Sequence, residues 1–369
     1  MKITAIRTRI ENFELSRPYE IAFRKVDAVQ NNVVEVDTNI GLTGVGVGSP
    51  EPHVTGETPD ACSKALKLES LNWLIGHDVR TINQLSRELA RRMPGTPAAR
   101  AAIDIALYDL LGQFLQRPLV DVLGRTHDSL PTSITIGIKS LEETLVEAEE
   151  YFGRGFRTLK VKLGHSVEED IERLRKLRGR YRSTIDIRVD PNQGYSPEDL
   201  TRFHRETSAL DLEFVEQPMD TKLDESLWDL PAGMRKQLAA DESLLNESDA
   251  LRLINRRSGE DIGACGIFVI KLMKCGGIFS AKRIADIADV GGVQLMWGCM
   301  DESIVSITAA LHAAFSSPAT RYIDLDGSLD LARDIVSGGF ELEDGKMRTT
   351  RSPGLGVTLL ADQDEASES

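Results

Sequence analysis

Apolar positions recur along the chain in two rhythms, and the change between them falls near Gly124. Residues 2–10 alternate in part, with Ile3, Ala5 and Ile10 among polar neighbours. Val33, Val34, Val36, Ile40 and Leu42 continue a β-like pattern, so both segments predict strands. Tyr19–Lys25, and Gly44–Thr58 with its glycines and prolines, read as loops. Helical spacing follows at Leu71, Leu74 and Ile75, then at Ile103, Ala106, Leu107, Leu110 and Leu111. Strands followed by helices predict an α+β unit ending near Gly124.

Beyond that point short β-rich runs end near Gly137, Lys162, Asp190, Glu216, Asp241, Lys271, Trp297 and Asp324, 25–30 residues apart. Helical patterns such as Leu141–Tyr151, Val167–Leu177 and Ala281–Ala288 fill the gaps. Eight strands alternating with helices at this spacing predict an α/β fold, a (β/α)8-type barrel. An open doubly wound sheet is the alternative, but no GxGxxG motif follows its first strand.

Composition narrows the partners. The 369 residues carry 44 Lys and Arg against 58 Asp and Glu, a net charge of −14, with no basic block to meet a phosphate backbone. Nucleic acid is therefore not an expected partner. No apolar run reaches the ~18 residues of a membrane span, and the charged start MKITAIRTRIENFELS does not read as a signal peptide. Cys62, Cys265, Cys275 and Cys299 form no CxxC pair, so the expected compartment is the cytoplasm. The acidic tail ADQDEASES reads as frayed. A homo-oligomer stays open.

The chemistry lies at the strand ends. Barrel enzymes place their sites at the C-terminal ends of the strands, and six of these eight ends carry Lys, Asp or Glu where a 28%-charged chain would place about two. Side-chain alternation turns Lys160 and Lys162 to one face of the second strand, Asp190 inward on the third, and Glu216 and Asp241 inward on the fourth and fifth. Lys271 shares a face with Ile267 and Val269 on the sixth, and Asp324 and Asp326 share one on the eighth. Three carboxylates crowded together resist ionising unless a cation joins them, and oxygen-only ligands select a hard ion such as Mg²⁺. Lys162 and Lys271, opposed across such a site, can take a proton from either face of a carbon held between them. The cation pushes both towards the neutral form, and Lys160 does the same to Lys162. A rim of Lys–Asp salt bridges without metal is the alternative. His53, His77, His127, His165, His204 and His312 show no HxxxH or HxH spacing for zinc, and Ser243 and Ser303 sit in no Gly-x-Ser-x-Gly turn.

The motifs KVK (Lys160–Lys162), VDPNQGY (Val189–Tyr195), VEQP (Val215–Pro218), ADES (Ala240–Ser243), IKLMKCGG (Ile270–Gly277) and GCMDES (Gly298–Ser303) resemble the enolase superfamily, in its muconate-lactonizing branch. VTGET (Val54–Thr58) and ALYDLLG (Ala106–Gly112) resemble its capping domain, so the likeness covers nearly the whole chain. The resemblance implies a capping domain over 1–125, completed by about 335–369, and a barrel over 126–334. It implies Mg²⁺ on Asp190, Glu216 and Asp241, and a Lys162/Lys271 acid–base pair working through a metal-stabilised enediolate.

Ile323–Leu331 (IDLDGSLDL) resembles the DxD motif of dipeptide epimerases, which implies that Asp324 and Asp326 hold the α-ammonium of a dipeptide. A turn begun by Asp326 with Gly327 is the alternative. The stretch Tyr19–Lys25 resembles a cap loop whose arginine, here Arg24, meets a glutamate carboxylate, which implies preference for Ala-Glu or Ala-Asp. Pairing of Arg24 with Glu20 is the competing reading. Two positions depart from the pattern: Val47 replaces a common acid, and Trp297 replaces a smaller aliphatic residue, either filling part of the substrate pocket or packing under the cap. N-acylamino-acid racemase, muconate-type cycloisomerase and a non-catalytic metal-stabilised binding barrel are the rival functions.

Overall fold

The computed structural model describes residues 1–21, 24–255 and 261–361; the tail from Asp362 lies outside them. Two long strands, Ile3–Ile21 and Arg24–Thr38, pair antiparallel out to Ile21 opposite Arg24. Within the stretch expected to be a loop, Tyr19–Ile21 and Arg24–Lys25 are thus paired strand, because Tyr19, Ile21 and Val26 favour extended backbone and the ladder continues through them. Gly44–Gly48 is likewise a strand, part of Thr43–Gly48, paired with Asn32–Asp37. Its alternate glycines are for close approach: a Cβ on Gly46 would lie 1.9 Å from the Ala102 carbonyl oxygen. The helix pressed there, Pro97–Leu115, is buried on every side through Ala98, Ala102, Ile105, Ala106 and their neighbours. That is the composition of a helix enclosed between two layers.

The barrel strands are Ile134–Ile136, Thr158–Lys162, Asp186–Asp190, Val215–Glu216, Leu238–Ala240, Ile267–Ile270, Gln294–Gly298 and Thr320–Asp324, referred to below as first to eighth. They neighbour one another in chain order and run parallel. A parallel bridge between Thr132 and Ile323 brings the eighth back to the first. Among the described residues no helix follows the eighth strand. The chain instead enters short antiparallel strands between Val336 and Leu359, and Leu355 N donates to Asp109 Oδ1 on the capping helix at 2.9 Å. Inside the barrel, Phe214, Ala239, Ile267, Val269 and Met296 form a separate apolar cluster against Tyr322. Arg188 crosses it, its guanidinium 5.0 Å from the Tyr322 ring centre, and donates to Ser133 Oγ (3.0 Å) and the Ile323 carbonyl (2.7 Å). Together these close the barrel below its mouth.

His312, on the helix Ile304–Ala314, is fully buried, and Val120 N donates to its Nδ1 at 2.9 Å, which leaves the ring proton on Nε2. Burial pushes its pKa from 6.5 down to about 4. The unfolded chain therefore binds more protons between those two values, and stability falls as pH falls through that window, by about 3 kcal/mol once complete. His312→Asn keeps an acceptor near Val120 and should flatten this part of the stability–pH curve in urea unfolding. Acid sensitivity unchanged from the parent would contradict this.

Candidate active site

The eight-strand order sets the second and sixth strands four places apart, so Lys162 and Lys271 approach the mouth from opposite sides. Asp190 ends the third strand, Glu216 ends the fourth, and Asp241 follows the fifth directly. All three carboxylates are buried. Lys271 is the extended residue before a one-turn helix, Leu272–Cys275. Behind that turn, Gly276 and Gly277 adopt positive φ, and a Cβ on Gly277 would lie 2.4 Å from Asp104 Oδ2 of the capping helix. The double glycine of IKLMKCGG thus seats the sixth strand's end against the cap.

Each carboxylate is held by lysine. Lys160 Nζ donates to Glu216 Oε1 (2.9 Å) and Asp324 Oδ2 (3.0 Å), and lies 3.3 Å from Asp190 Oδ2. Lys162 Nζ donates to Asp190 Oδ2, and Lys271 Nζ to Asp241 Oδ2, each at 2.7 Å. Burial works against these charges and the pairing outweighs it, so Asp190 and Asp241 are held below the usual carboxylate range. For the same reason Lys160 and Lys271 are held above the ordinary lysine value. Glu216 goes the other way. Burial, with the charges of Asp190 and Asp241 added, pushes it up to about 8 despite Lys160.

Among the described residues no three carboxylates converge at metal-binding distances, since each points to its lysine. The donor set nevertheless fits a hard cation. Glu216 Oε2 is buried 2.8 Å from Lys160 Nζ, but the directed hydrogen bond goes to Oε1, and Oε2 has no donor. The neighbouring Glu242 Oε2 also lacks one. Oxygen donors from three adjacent strands, one without a directed hydrogen bond and on a carboxylate reluctant to ionise, are what a Mg²⁺ ion would satisfy.

Residues 143–363 match the family model described as enolase C-terminal domain-like. Residues 3–124 match the N-terminal domain of mandelate racemase and muconate lactonizing enzyme. The chain belongs to the enolase superfamily. It is 56% identical over 357 residues to the L-Lys-D/L-Arg epimerase of Methylococcus capsulatus, covering 97% of this chain and 99% of that one. The L-Ala-D/L-Glu epimerase of Clostridium acetobutylicum is 35% identical over 93% of this chain and 95% of its own length. A crystal structure of the Methylococcus capsulatus dipeptide epimerase, complexed with Mg and the dipeptide L-Arg-D-Lys, superposes with a TM-score of 0.94 at 55% identity, covering 97% and 100% of the two chains.

Within this enolase-superfamily barrel, the side chains of two residues expected to meet substrate are engaged by other groups of the chain. Trp297 is fully buried in the layer between strand and helices, its Nε1 donating to Thr320 Oγ1 at 2.9 Å. It does not line the mouth, because its neighbours Met296 and Gly298 take the inward positions of the seventh strand. Asp324 has both oxygens taken, Oδ1 by Ser133 Oγ (2.5 Å) and Oδ2 by Lys160. Asp326 is half-buried; Thr135 N donates to its Oδ2 at 2.8 Å, and the Cys299 thiol lies 3.9 Å from Oδ1. Burial and the charge of Asp324 push Asp326 up to about 7, the state of a carboxylate that lacks a counter-charge. The backbone of Arg24 is described and its side chain is not, so its expected role lies outside the described side chains. His53 is exposed in the cap, and Val47 is buried in the cap sheet.

Sequence reasoning passed over Gln217 and Lys274. Gln217 Oε1 accepts from the backbone N of Asp241 (2.9 Å) and Ser243 (3.1 Å), and its Nε2 donates to Ser243 Oγ (2.8 Å), which fixes the loop carrying Asp241. Both residues lie inside quoted motifs. Their neutral or duplicated chemistry, next to a carboxylate and a lysine already assigned, hid them.

Proposed function

We propose that the chain is a Mg²⁺-dependent dipeptide epimerase, an isomerase that inverts one α-carbon of a dipeptide. The observation that carries this reading is a lysine on each of two opposed strands with three buried carboxylates on the strands between them. Its likeness to two epimerases along nearly its full length supports the same chemistry. Asp190, Glu216 and Asp241 would hold Mg²⁺, which when bound supplies positive charge to the substrate's carboxylate as its α-proton leaves. Lys162 takes the proton from one face and Lys271 delivers one to the other, or the reverse for the opposite epimer. Asp326 receives the substrate's α-ammonium. Asp324 holds Lys160 upright between Glu216 and Asp190 and acts on substrate only through it.

This division separates the two aspartates kinetically. Asp326→Asn should raise KM for free dipeptides by about 10- to 100-fold, the worth of a hydrogen bond to a charged group, with a smaller change in kcat. Asp324→Asn should lower kcat more than it raises KM. Matching effects on KM would return both aspartates to the ammonium.

The side-chain preference is for cationic dipeptides and not for the acidic ones that Arg24 suggested. The relative at 56% identity is named for Lys and Arg, the Ala-Glu enzyme is at 35%, and a chain of net charge −14 favours a cationic ligand. A dipeptide library incubated with enzyme and Mg²⁺ in D₂O and read by mass spectrometry tests this. Deuterium should enter Lys- and Arg-containing dipeptides first. Faster labelling of Ala-Glu would restore the acidic preference, and efficient labelling of N-acetylated compounds would move the assignment to an N-acylamino-acid racemase.

A further inference from the structure

We propose that Lys274 is a positioning residue that fixes the carboxylate of Asp241, a role that rests on the reading of Asp241 as a Mg²⁺ ligand. Lys274 sits on the one-turn helix after the sixth strand, three residues beyond Lys271, and is 3% exposed. Its side chain folds back over the strand end. Nζ donates to the Asp241 carbonyl (2.6 Å), to Asp241 Oδ1 and to the Val269 carbonyl (3.1 Å). An ammonium has three protons, and these three acceptors use them all. Nothing is left over for a substrate.

Lys271 is different. Among the described residues its Nζ has one hydrogen-bond partner, Asp241 Oδ2, so it can turn to a ligand without unmaking a network. Asp241 therefore sits between a fixed lysine on Oδ1 and an exchangeable one on Oδ2. The fixed lysine is braced from behind: Gly276 packs its Cα face against the Arg100 guanidinium and Gly277 against Asp104, both on the capping helix. Gln217 holds the Asp241 backbone from the other side. With Lys274 on Oδ1 and the backbone pinned, Oδ2 is left on the side of Lys271, the lysine that can give way to a cation. Outer partners that orient a ligand in this way govern metal affinity.

Charge alone predicts the opposite effect, because a further lysine near the site repels a cation and its removal should tighten binding. The two accounts are separable with Mn²⁺ as the probe, following the free-ion electron paramagnetic resonance signal during titration of the full-length enzyme. Lys274→Met should weaken Mn²⁺ binding by at least tenfold. Lys274→Gln, one bond shorter but still a donor, should fall between Met and the parent. Thermal melting of each variant, run alongside, separates lost affinity from lost fold. If Lys274→Met does not fold, Lys274→Gln decides alone: weaker Mn²⁺ binding than the parent supports the proposal. Variants that fold and bind Mn²⁺ as tightly as the parent, or more tightly, overturn it and leave the epimerase reading standing. A parent enzyme that takes up no Mn²⁺ overturns the metal reading and this proposal with it.

Discussion

Lys271→Ala is expected to stop epimerisation, lowering kcat/KM by at least about 10³-fold, while leaving exchange with solvent for one epimer. A positioned acid or base contributes about 10²–10⁴-fold, and inversion needs one on each face of the α-carbon. Lys162 remains in this variant, still 2.7 Å from Asp190 and, with 27% of its side chain accessible, open to the mouth. It can remove and return a proton on its own face, so deuterium should enter the epimer whose α-hydrogen points that way and should not enter the other. Lys162→Ala should show the mirror-image preference. Parallel chiral chromatography and mass measurement of both epimers in D₂O check this. Both variants inverting substrate at parental rates would rule out the two-base assignment.

Glu216→Gln should be nearly as severe, for a different reason. Glu216 is the middle of the three carboxylates, fully buried, and carries the oxygen without a donor. The amide loses a charge and puts an NH₂ donor where a cation needs an oxygen. Partners one shell further out typically cost 10–100-fold in metal affinity when removed, so a direct ligand should cost more than about 100-fold. Isothermal titration with Mg²⁺ measures it. The change also frees Lys160 from one of its three carboxylates, so a structure of the variant should show Nζ drawn to Asp190 and Asp324. Full activity of the parent after exhaustive chelation would contradict the need for metal.

Much of this was legible in the residues because a buried parallel strand has few reasons to end in a charge. Alternation placed Phe214 with Glu216, Ala239 with Asp241 and Val269 with Lys271, and the apolar partners of all three pairs lie in the barrel's inner cluster. The same rule, applied to the seventh strand, puts Trp297 outward; its size and its departure from the family pattern drew attention that its parity did not justify. Gly44, Gly46 and Gly48 were misread for a physical reason. A glycine marks a turn or a close approach, and only the helix packed on them tells which. The split between Asp324 and Asp326 was out of reach, since it depends on Ser133, just before the first strand, and Lys160 of the second arriving to occupy Asp324. Side-chain preference was out of reach too, because a single arginine in a cap hairpin does not say what its side chain meets.

The central claim is that this barrel inverts an α-carbon of a dipeptide through opposed lysines, and one experiment addresses it directly. L-Lys-L-Arg is incubated with the Mg²⁺-loaded enzyme in D₂O, and the α-proton resonances are followed by NMR as the two diastereomers are resolved. The account predicts loss of a single α-proton signal, with the second diastereomer appearing already deuterated at that carbon. Inversion that retains the original hydrogen, or no exchange in any dipeptide tried, would contradict it.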